Sequence, residues 1–213
     1  PTLPECEAWG TLHALKQEKE VVGIYLSGHP LDDFKTAMKH FCNAKVGLFN
    51  DLDPLINKEL SFGGMVGEVD HRVSKNGKGW AIFTLEDFEE SYDFRIFGED
   101  YLKFRHFLVT DSFVHVKALV REGWLNRETG KRGEPRLQFS AFQQLQDTLA
   151  VYTKKITLKM DVARMDENLL VFLEKLFRTH KGDHKLDMIF YEAEDKIKLV
   201  TTSRKVKIQV DEQ

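Results

Sequence analysis

Two polar loops in this sequence set positive charge beside aromatic side chains, a combination suited to holding unpaired nucleic acid. Arg72, Lys75 and Lys78 surround residues 74–79, and Trp80 follows directly. Arg121, Arg127, Lys131 and Arg132 surround residues 126–135, next to Trp124. Basic groups can track phosphates while flat rings stack on bases, worth about 1–3 kcal/mol per stacked base. Between the loops lie two segments that read as strands, where alternate side chains take opposite faces. Ala81, Phe83 and Leu85 are expected inside, with Trp80, Ile82, Thr84 and Glu86 outside. Tyr92, Phe94 and Ile96 are expected inside, with Asp93, Arg95 and Phe97 outside. The expected binding set is therefore Arg72, Lys75, Lys78, Trp80, Ile82, Thr84, Arg95, Phe97, Arg121, Trp124, Arg127, Lys131 and Arg132. Trp80, Phe97 and Trp124 have the alternative role of filling the sheet's interior or rim. The acidic run Glu86, Asp87, Glu89, Glu90 lies near the same face and weakens attraction to phosphate.

Other reactive residues do not assemble into a catalytic pattern. The pairs Glu86-Asp87 and Glu89-Glu90 are adjacent, and neighbouring strand residues point apart, so neither pair converges on one Mg²⁺ ion. His71, His106, His115, His180 and His184 lack zinc-site spacing, and His29 reads as a turn residue bonded to nearby backbone. Cys6 and Cys42 are too far apart for a CxxC motif. Residues 63–64 and 77–79 do not form a phosphate-binding P-loop, and no GxSxG elbow occurs. We expect no catalytic residue, no metal site and no cofactor.

The elements that must position these side chains fall into three segments. Residues 1–57 read as a helical linker segment. A helix over 5–26 carries Leu12, Leu15, Val22 and Leu26, Gly28 serves as its left-handed cap, and Pro30 opens a second helix with Asp32 and Asp33 in its first turn. Phe34, Ala37, Met38 and Phe41 form that helix's apolar face. Acidic residues where recognition side chains would emerge argue against major-groove reading. Residues 58–147 read as strands over 64–69, 80–86 and 92–97, a helix over 99–107, and strands over 113–121 and 136–142. Asn76-Gly77 marks the first hairpin turn. Three strands, a helix and two strands is the order of a five-stranded oligonucleotide-binding (OB) β-barrel, whose second and third strands bind nucleic acid. Residues 148–213 read as β-α-β-β-β. Ile156, Leu158 and Met160 form a strand, and Leu169, Leu170, Phe172, Leu173, Leu176 and Phe177 form a helical stripe capped at Gly182. Leu186, Met188 and Phe190 form a strand, Ile197 and Leu199 another, and Val206, Ile208 and Val210 a last one. The fold class is mixed α and β: an N-terminal helical segment, an OB barrel, and a small C-terminal α/β domain with one helix on a sheet.

A net charge of −3 argues against a protein that coats nucleic acid in bulk, so any site is a local basic patch. No apolar run approaches the roughly 20 residues that span a bilayer, and the opening residues carry no signal peptide. A cytoplasmic protein without membrane contact is the expectation. A start at Pro1 rather than Met fits an excised piece or a processed N-terminus.

Residues 18–32, Glu-Lys-Glu-Val-Val-Gly-Ile-Tyr-Leu-Ser-Gly-His-Pro-Leu-Asp, resemble a signature near the end of the bacterial DNA polymerase III alpha subunit. The Ser74-Lys75-Asn76-Gly77-Lys78 and Thr84-Leu85-Glu86-Asp87 stretches resemble a second pattern of that family, in its OB domain. The resemblance covers residues 5 to 146 well and extends more weakly to the end. It implies the non-catalytic C-terminal part of a replicative DNA polymerase. Its OB domain would contact single-stranded template DNA, with the rest of the alpha subunit as covalent partner. It further implies that residues 148–213 dock a replisome partner, in some bacteria the tau subunit of the clamp loader. The family's clamp-binding peptide has only a partial echo at Gly47-Leu48-Phe49. The family's glycine after the Thr-Leu-x-Asp strand is replaced here by Phe88-Glu89-Glu90-Ser91, a more acidic turn. Two other classes compete. One is an interaction scaffold that binds no nucleic acid, favoured by the acidic balance. The other is an anticodon-binding OB domain of a tRNA synthetase, which leaves the Gly28-His29-Pro30 segment without an account.

Overall fold

The computed structural model of the chain describes residues 9–125, 130–192 and 197–210. It divides into two compact units, Pro1–Leu145 and Gln146–Gln213. Among the described residues no helix is long and apolar enough to cross a membrane.

The first helix, α1 (Thr11–Val22), ends where Gly23 turns left-handed at φ 88° and its N–H reaches the Lys19 carbonyl at 2.8 Å. Gly28, the cap expected from sequence, is thus not the residue that ends it. The Glu18 carboxylate takes the N–H groups of Leu26 and Ser27 and the Ser27 hydroxyl, committing this stretch to a turn. Those bonds, the Ser27 hydroxyl first, hold Glu18 below the usual carboxylate range. Of the expected apolar stripe only Leu15 is buried, while Val22 and Leu26 are more than half exposed. Pro30 sits in the turn before a short 3₁₀ helix (Asp32–Phe34) and α2 (Lys35–Phe41), rather than at a helix's first position. Here His29 Nδ1 accepts the Leu31 N–H (3.1 Å), as expected of a turn histidine, and Asp32 accepts the His29 N–H (2.8 Å).

A five-stranded antiparallel sheet follows, in the order β3-β2-β1-β4-β5. The strands are β1 (Glu59–Val73), β2 (Gly79–Glu86), β3 (Ser91–Phe97), β4 (Phe113–Arg121) and β5 (Arg136–Gln144), with α3 (Gly98–Phe104) between β3 and β4. β1 is shared. Its first part, Glu59 to Met65, pairs with β4, and its later part, from Met65 to Val73, pairs with β2. A register shift between Val66 and Val69 lies just past the change, within the β1–β2 ladder, the kind of irregularity that bends a strand and adds twist. The alternation read from sequence holds: Ala81, Phe83, Leu85, Phe94 and Ile96 are buried, with Tyr92 partly so. They join Phe62, Phe104, Phe139 and Phe142 in one core. The sheet curls but stays open, since no ladder joins β3 to β5 among the described residues. The expected closed barrel is therefore seen as a curled sheet whose two edges face each other. In the β1–β2 turn only Gly77 takes positive φ (73°), and its N–H closes on the Ser74 carbonyl at 2.9 Å.

The segment before β1 is part of this core. Asn43 behaves like a strand residue against β1: it bonds Ser61 through backbone N–H and side-chain oxygen, and the Glu59 carbonyl through its amide. Val46 and Phe49, on a 3₁₀ turn (Val46–Asn50), are buried, and the Phe49 ring lies 4.5 Å from Phe62 and 4.9 Å from Phe94. Asp87, at the end of β2, is also buried. Its carboxylate accepts the N–H of Val46 (2.7 Å) and of Glu89 and Glu90 (2.8 and 2.9 Å), tying the acidic turn to the 3₁₀ segment.

The second unit opens with α4 (Leu145–Tyr152), which straddles the division and which the sequence reading missed. A three-stranded sheet follows in the order β6-β7-β8: β6 (Lys155–Asp161), β7 (Lys181–Glu192) and β8 (Ile197–Ile208). β6 and β7 are parallel, joined through α5 (Glu167–Thr179), while β7 and β8 are antiparallel. Asp166 caps α5 by accepting the Leu169 N–H at 2.7 Å. Two expectations need correction. Gly182 does not cap α5 but lies in β7, where an added Cβ would meet the Gln209 backbone at 2.5 Å. The two short strands expected after β7 are one strand, β8, whose pairing with β7 shifts register between Thr202 and Lys207; Thr202 donates to Asp187 (2.6 Å) at the near side of that shift.

Two measurements test this packing. Asp87→Ala removes the acceptor of three backbone N–H groups, each costing about 1–3 kcal/mol when left buried and unpaired. We expect a loss of about 3 kcal/mol in urea unfolding followed by circular dichroism, with no shift for the exposed Glu89→Ala. His115 is buried on β4, its Nε2 3.0 Å from the Phe41 carbonyl oxygen, and burial holds its imidazole below the ordinary 6.5. His29 is lowered in the same direction by its own burial. The unfolded chain then binds more protons than the folded one, so stability falls as pH drops through about 6.5, until the folded values are passed. His29→Gln with His115→Gln is expected to flatten the slope of the urea midpoint between about pH 7 and 5.

Candidate nucleic-acid interface

The strand registers set the outer side chains in rows. Arg72, Trp80 and Phe97 are cross-strand neighbours on β1, β2 and β3; Asp70, Ile82 and Arg95 form the next row; Thr84 and Asp93 pair beyond it. In the first row the Arg72 guanidinium lies 5.3 Å from the Trp80 ring centre, and Trp80 stacks on Phe97 at 5.3 Å and 18°. Phe97 is 56% exposed, so its outer face is open. Arg72 is also ion-paired with Asp70 at 2.6 Å, and Thr84 donates to Asp93 at 2.6 Å. Lys75 and Lys78 stand exposed on the turn at the end of these rows. Six of the expected residues (Arg72, Trp80, Ile82, Thr84, Arg95 and Phe97) thus share one sheet face, and the two lysines flank it.

The β4–β5 connection forms the other side. Leu125 bridges Arg132 and the Gly133 N–H reaches the Trp124 carbonyl at 3.0 Å, making a narrow two-sided arm. Trp124 is 75% exposed and lies 4.3 Å from the Arg136 guanidinium. Arg136 had not been singled out from sequence; no spacing rule brings it to Trp124, although its place at the start of β5 beside the arm was a clue. Arg132 is ion-paired with Glu122, and Arg121 donates to Gln138 at 3.0 Å on the outer face of β4–β5. Lys131 is exposed, and Arg127 lies outside the described residues.

The two sides meet across a groove of about 980 Å³ between the sheet edges β3 and β5. Arg95 and Phe97 line one wall, Trp124 and Arg136 the other. Asp93, Asp100 and Glu134 also line it, so its own charge is slightly negative. Asp100 is engaged in structure, accepting the Phe139 N–H at 3.1 Å. The groove offers flat surfaces on both walls, with Arg95 and Arg136 set against three carboxylates, which suits stacking more than tight phosphate capture. Among the described residues no group of three or more His, Cys, Asp and Glu side chains is arranged to hold a metal ion.

No family model matches the chain. Curated relatives do. A DNA polymerase III subunit alpha from Saccharopolyspora erythraea is 25% identical over 177 residues, 83% of this chain. One from Mycobacterium tuberculosis is 31% identical over 114 residues, 54% of this chain, and one from Bacillus subtilis 24% identical over 203 residues, 93% of it. The chain is homologous to a region of the DNA polymerase III alpha subunit. It spans only 14%, 10% and 17% of the length of these three relatives. Solved structures align weakly. A putative aspartyl-tRNA synthetase from Leishmania major Friedlin is 12% identical over 75% of this chain and 46% of its own, with a TM-score of 0.28. RecG bound to a three-way DNA junction is 15% identical over 66% and 19%, with a TM-score of 0.27. At such scores neither likeness bears on fold or function.

The arm that carries Trp124 depends on a close backbone approach. A Cβ on Gly123 would lie 2.0 Å from the Gly133 oxygen. Gly123→Ala is expected to open the arm while leaving the buried sheet intact. Limited trypsin digestion then shows faster cleavage at Lys131, Arg132 and Arg136, with an unchanged urea midpoint.

Proposed function

We propose that the first unit is an OB-type module of a bacterial replicative polymerase, and that it guides single-stranded template DNA along the β2–β3 face. The observation that carries this is the groove between β3 and β5, with Phe97 and Arg95 facing Trp124 and Arg136. The strand order β3-β2-β1-β4-β5 with α3 between β3 and β4 supports the OB assignment. Homology to the alpha subunit supports a place in DNA replication, in the cytoplasm. On this reading nucleotidyl transfer belongs to the parent DNA-directed DNA polymerase, and the present residues contribute binding without a catalytic group. Bases stack on Phe97 and Trp124, extended by Trp80 and Arg136, while Lys75, Lys78, Lys131 and Arg132 draw in phosphates. The second unit docks another replisome subunit, the clamp-loader tau subunit being the family's candidate. The exposed Leu170, Val171 and Phe172 of α5 and Ile197, Leu199 and Val200 of β8 support that role.

A scaffold that binds no nucleic acid is the second reading. It is favoured by the Asp70–Arg72 and Glu122–Arg132 pairs and by the carboxylates in the groove. Fluorescence anisotropy of labelled oligo-dT, at low and then roughly physiological salt, separates the two. Strand guidance gives affinity that falls with salt, and Phe97→Ala and Trp124→Ala each weaken it by roughly five- to a hundredfold, the worth of one stacked base. Lys75→Ala with Lys78→Ala lowers affinity and makes the salt dependence shallower. Absence of binding at low salt would favour the scaffold. Preference for a folded tRNA over oligo-dT would favour an anticodon-binding module instead.

A further inference from the structure

The sheet of the second unit has one face under a helix and one left open. Leu176 and Phe177 of α5 line a pocket with Ile156, Leu158 and Ile208, so the helix sits on the face that those strand residues share. The strand registers put the alternate residues on the other face, in cross-strand rows. Lys155, Lys185 and Lys207 form the first row, and Thr157, Asp187 and Thr202 the second. Lys159, Ile189 and Val200 form the third, and Asp161, Tyr191 and Lys198 the fourth. Side-chain contacts agree with this placement. Lys155 pairs with Asp187 at 2.7 Å, Thr202 donates to Asp187 at 2.6 Å, and the Lys159 ammonium lies 4.8 Å from the Tyr191 ring centre. All the lysines of the face are exposed. Its two carboxylates are both engaged: Asp187 as above, and Asp161 with the Ala163 N–H at 3.1 Å and Arg164 at 3.7 Å. Among the described residues Lys185, Lys198 and Lys207 make no ion pair. The margins do not cancel this excess. Asp183 on β7 is accompanied by Lys181, and Arg204 and Lys205 are exposed where the β7–β8 ladder shifts register.

Lysines directly opposite one another on adjacent strands repel, and a polyanion laid along the row relieves that repulsion. We infer that this open face binds the sugar–phosphate backbone of single-stranded nucleic acid, with Lys155, Lys185 and Lys207 at one end and Lys159 and Lys198 beside Tyr191 at the other. The first row spans two strand spacings, roughly 10 Å, and the fourth row lies about 20 Å further along the strands. A flexible strand lies flat on a surface of that size, with an unpaired base against Tyr191, whereas a convex duplex touches it along one line. An acidic protein segment is less suited. Exposed lysine–carboxylate pairs contribute only about 0–1 kcal/mol each, whereas a nucleic acid strand also gains by releasing its condensed counterions. None of the first unit's residues take part, so this face and the groove between β3 and β5 stand or fall separately.

Amide NMR spectra of the full chain, titrated with a short oligo-dT, test this. At low salt the signals of Thr157, Asp187, Tyr191 and Thr202 are expected to shift saturably. Lys185→Gln with Lys207→Gln weakens that response and makes its dependence on log salt shallower by about 0.7 for each lysine removed. Both side chains are exposed members of a repulsive row, so the urea midpoint holds and the loss is not one of folding. Lys198→Gln, at the far end of the face, weakens the response independently. Phe97→Ala with Trp124→Ala leaves the same signals responding, which separates this face from the strand-guidance groove. Signals unmoved by oligo-dT at low salt, or a response that survives the lysine substitutions, would overturn the assignment. A hexaglutamate peptide that shifts them at concentrations as low as oligo-dT does would give the face to an acidic protein segment instead. A duplex of the same length that acts at lower concentrations would give it to paired DNA, and either result overturns the single-strand assignment.

Discussion

The first unit depends on one strand serving two partners in turn. β1 gives its first part to β4 and its later part to β2, with the handover at Met65 and a register shift between Val66 and Val69 just beyond it. Such a stagger coils a sheet, because neighbouring strands are offset along their length as well as twisted. Coiling brings the far edges, β3 and β5, to opposite sides of one groove, and it packs Phe83, Phe94, Phe139 and Phe142 into a single interior. A flat sheet with the same strand order would leave Phe97 and Trp124 on remote edges. Sheet curvature is thus the physical reason that Phe97 and Trp124 line one groove.

An open, staggered sheet leaves parts of β1 without a strand partner, and the chain covers them by other means. Beside the first part, Asn43 imitates a strand residue against Ser61. At the handover, the Val66 N–H reaches the Ser112 carbonyl and the Val66 carbonyl receives the Asp111 N–H, each at 2.8 Å. Asp87 then ties the same N-terminal segment to the β2–β3 turn. These bonds explain why the residues before β1 belong to the first compact unit, although they read in sequence as a linker.

How much was legible follows from how local each signal is. The inner and outer faces of β2 and β3 were readable because strand period and burial coincide there, as at Ala81, Phe83, Leu85, Phe94 and Ile96. The cap of α1 was misplaced because two glycines five residues apart both permit a left-handed turn. A side-chain bond from Glu18 to Ser27, invisible in a pattern of apolar residues, accompanies the choice of Gly23. β8 read as two strands because Thr201, Thr202 and Ser203 interrupt its apolar pattern, yet an edge strand tolerates a polar middle when Asp187 receives the Thr202 hydroxyl. Arg136 escaped notice because its contact with Trp124 is made across the arm. Asp87 was visible as one acid in a run of four, whereas its three N–H partners come partly from a segment some forty residues earlier.

The state of the acidic side chains bears on how a chain of net charge −3 would fare beside phosphates on the proposed reading. Long-range repulsion from a carboxylate matters most when its charge is free, and several acids near these surfaces are engaged. Asp87 and Asp100 accept backbone N–H groups, Asp70 pairs with Arg72, and Glu86 pairs with Lys19 of α1. The last contact belongs to a local cluster in which Lys19 also lies over the Tyr25 ring at 4.8 Å. Burial and the nearby Glu86 push the Tyr25 hydroxyl up to about 12, so it stays protonated in the physiological range and adds no negative charge. The β2–β3 hairpin is therefore held at its turn by carboxylates that are hydrogen-bonded to backbone (Asp87) or ion-paired (Glu86), while its other end presents Trp80 and Phe97. A hairpin fixed in this way gives up little conformational freedom when a base stacks on it. Aromatic contact can then contribute where charge alone would be too weak.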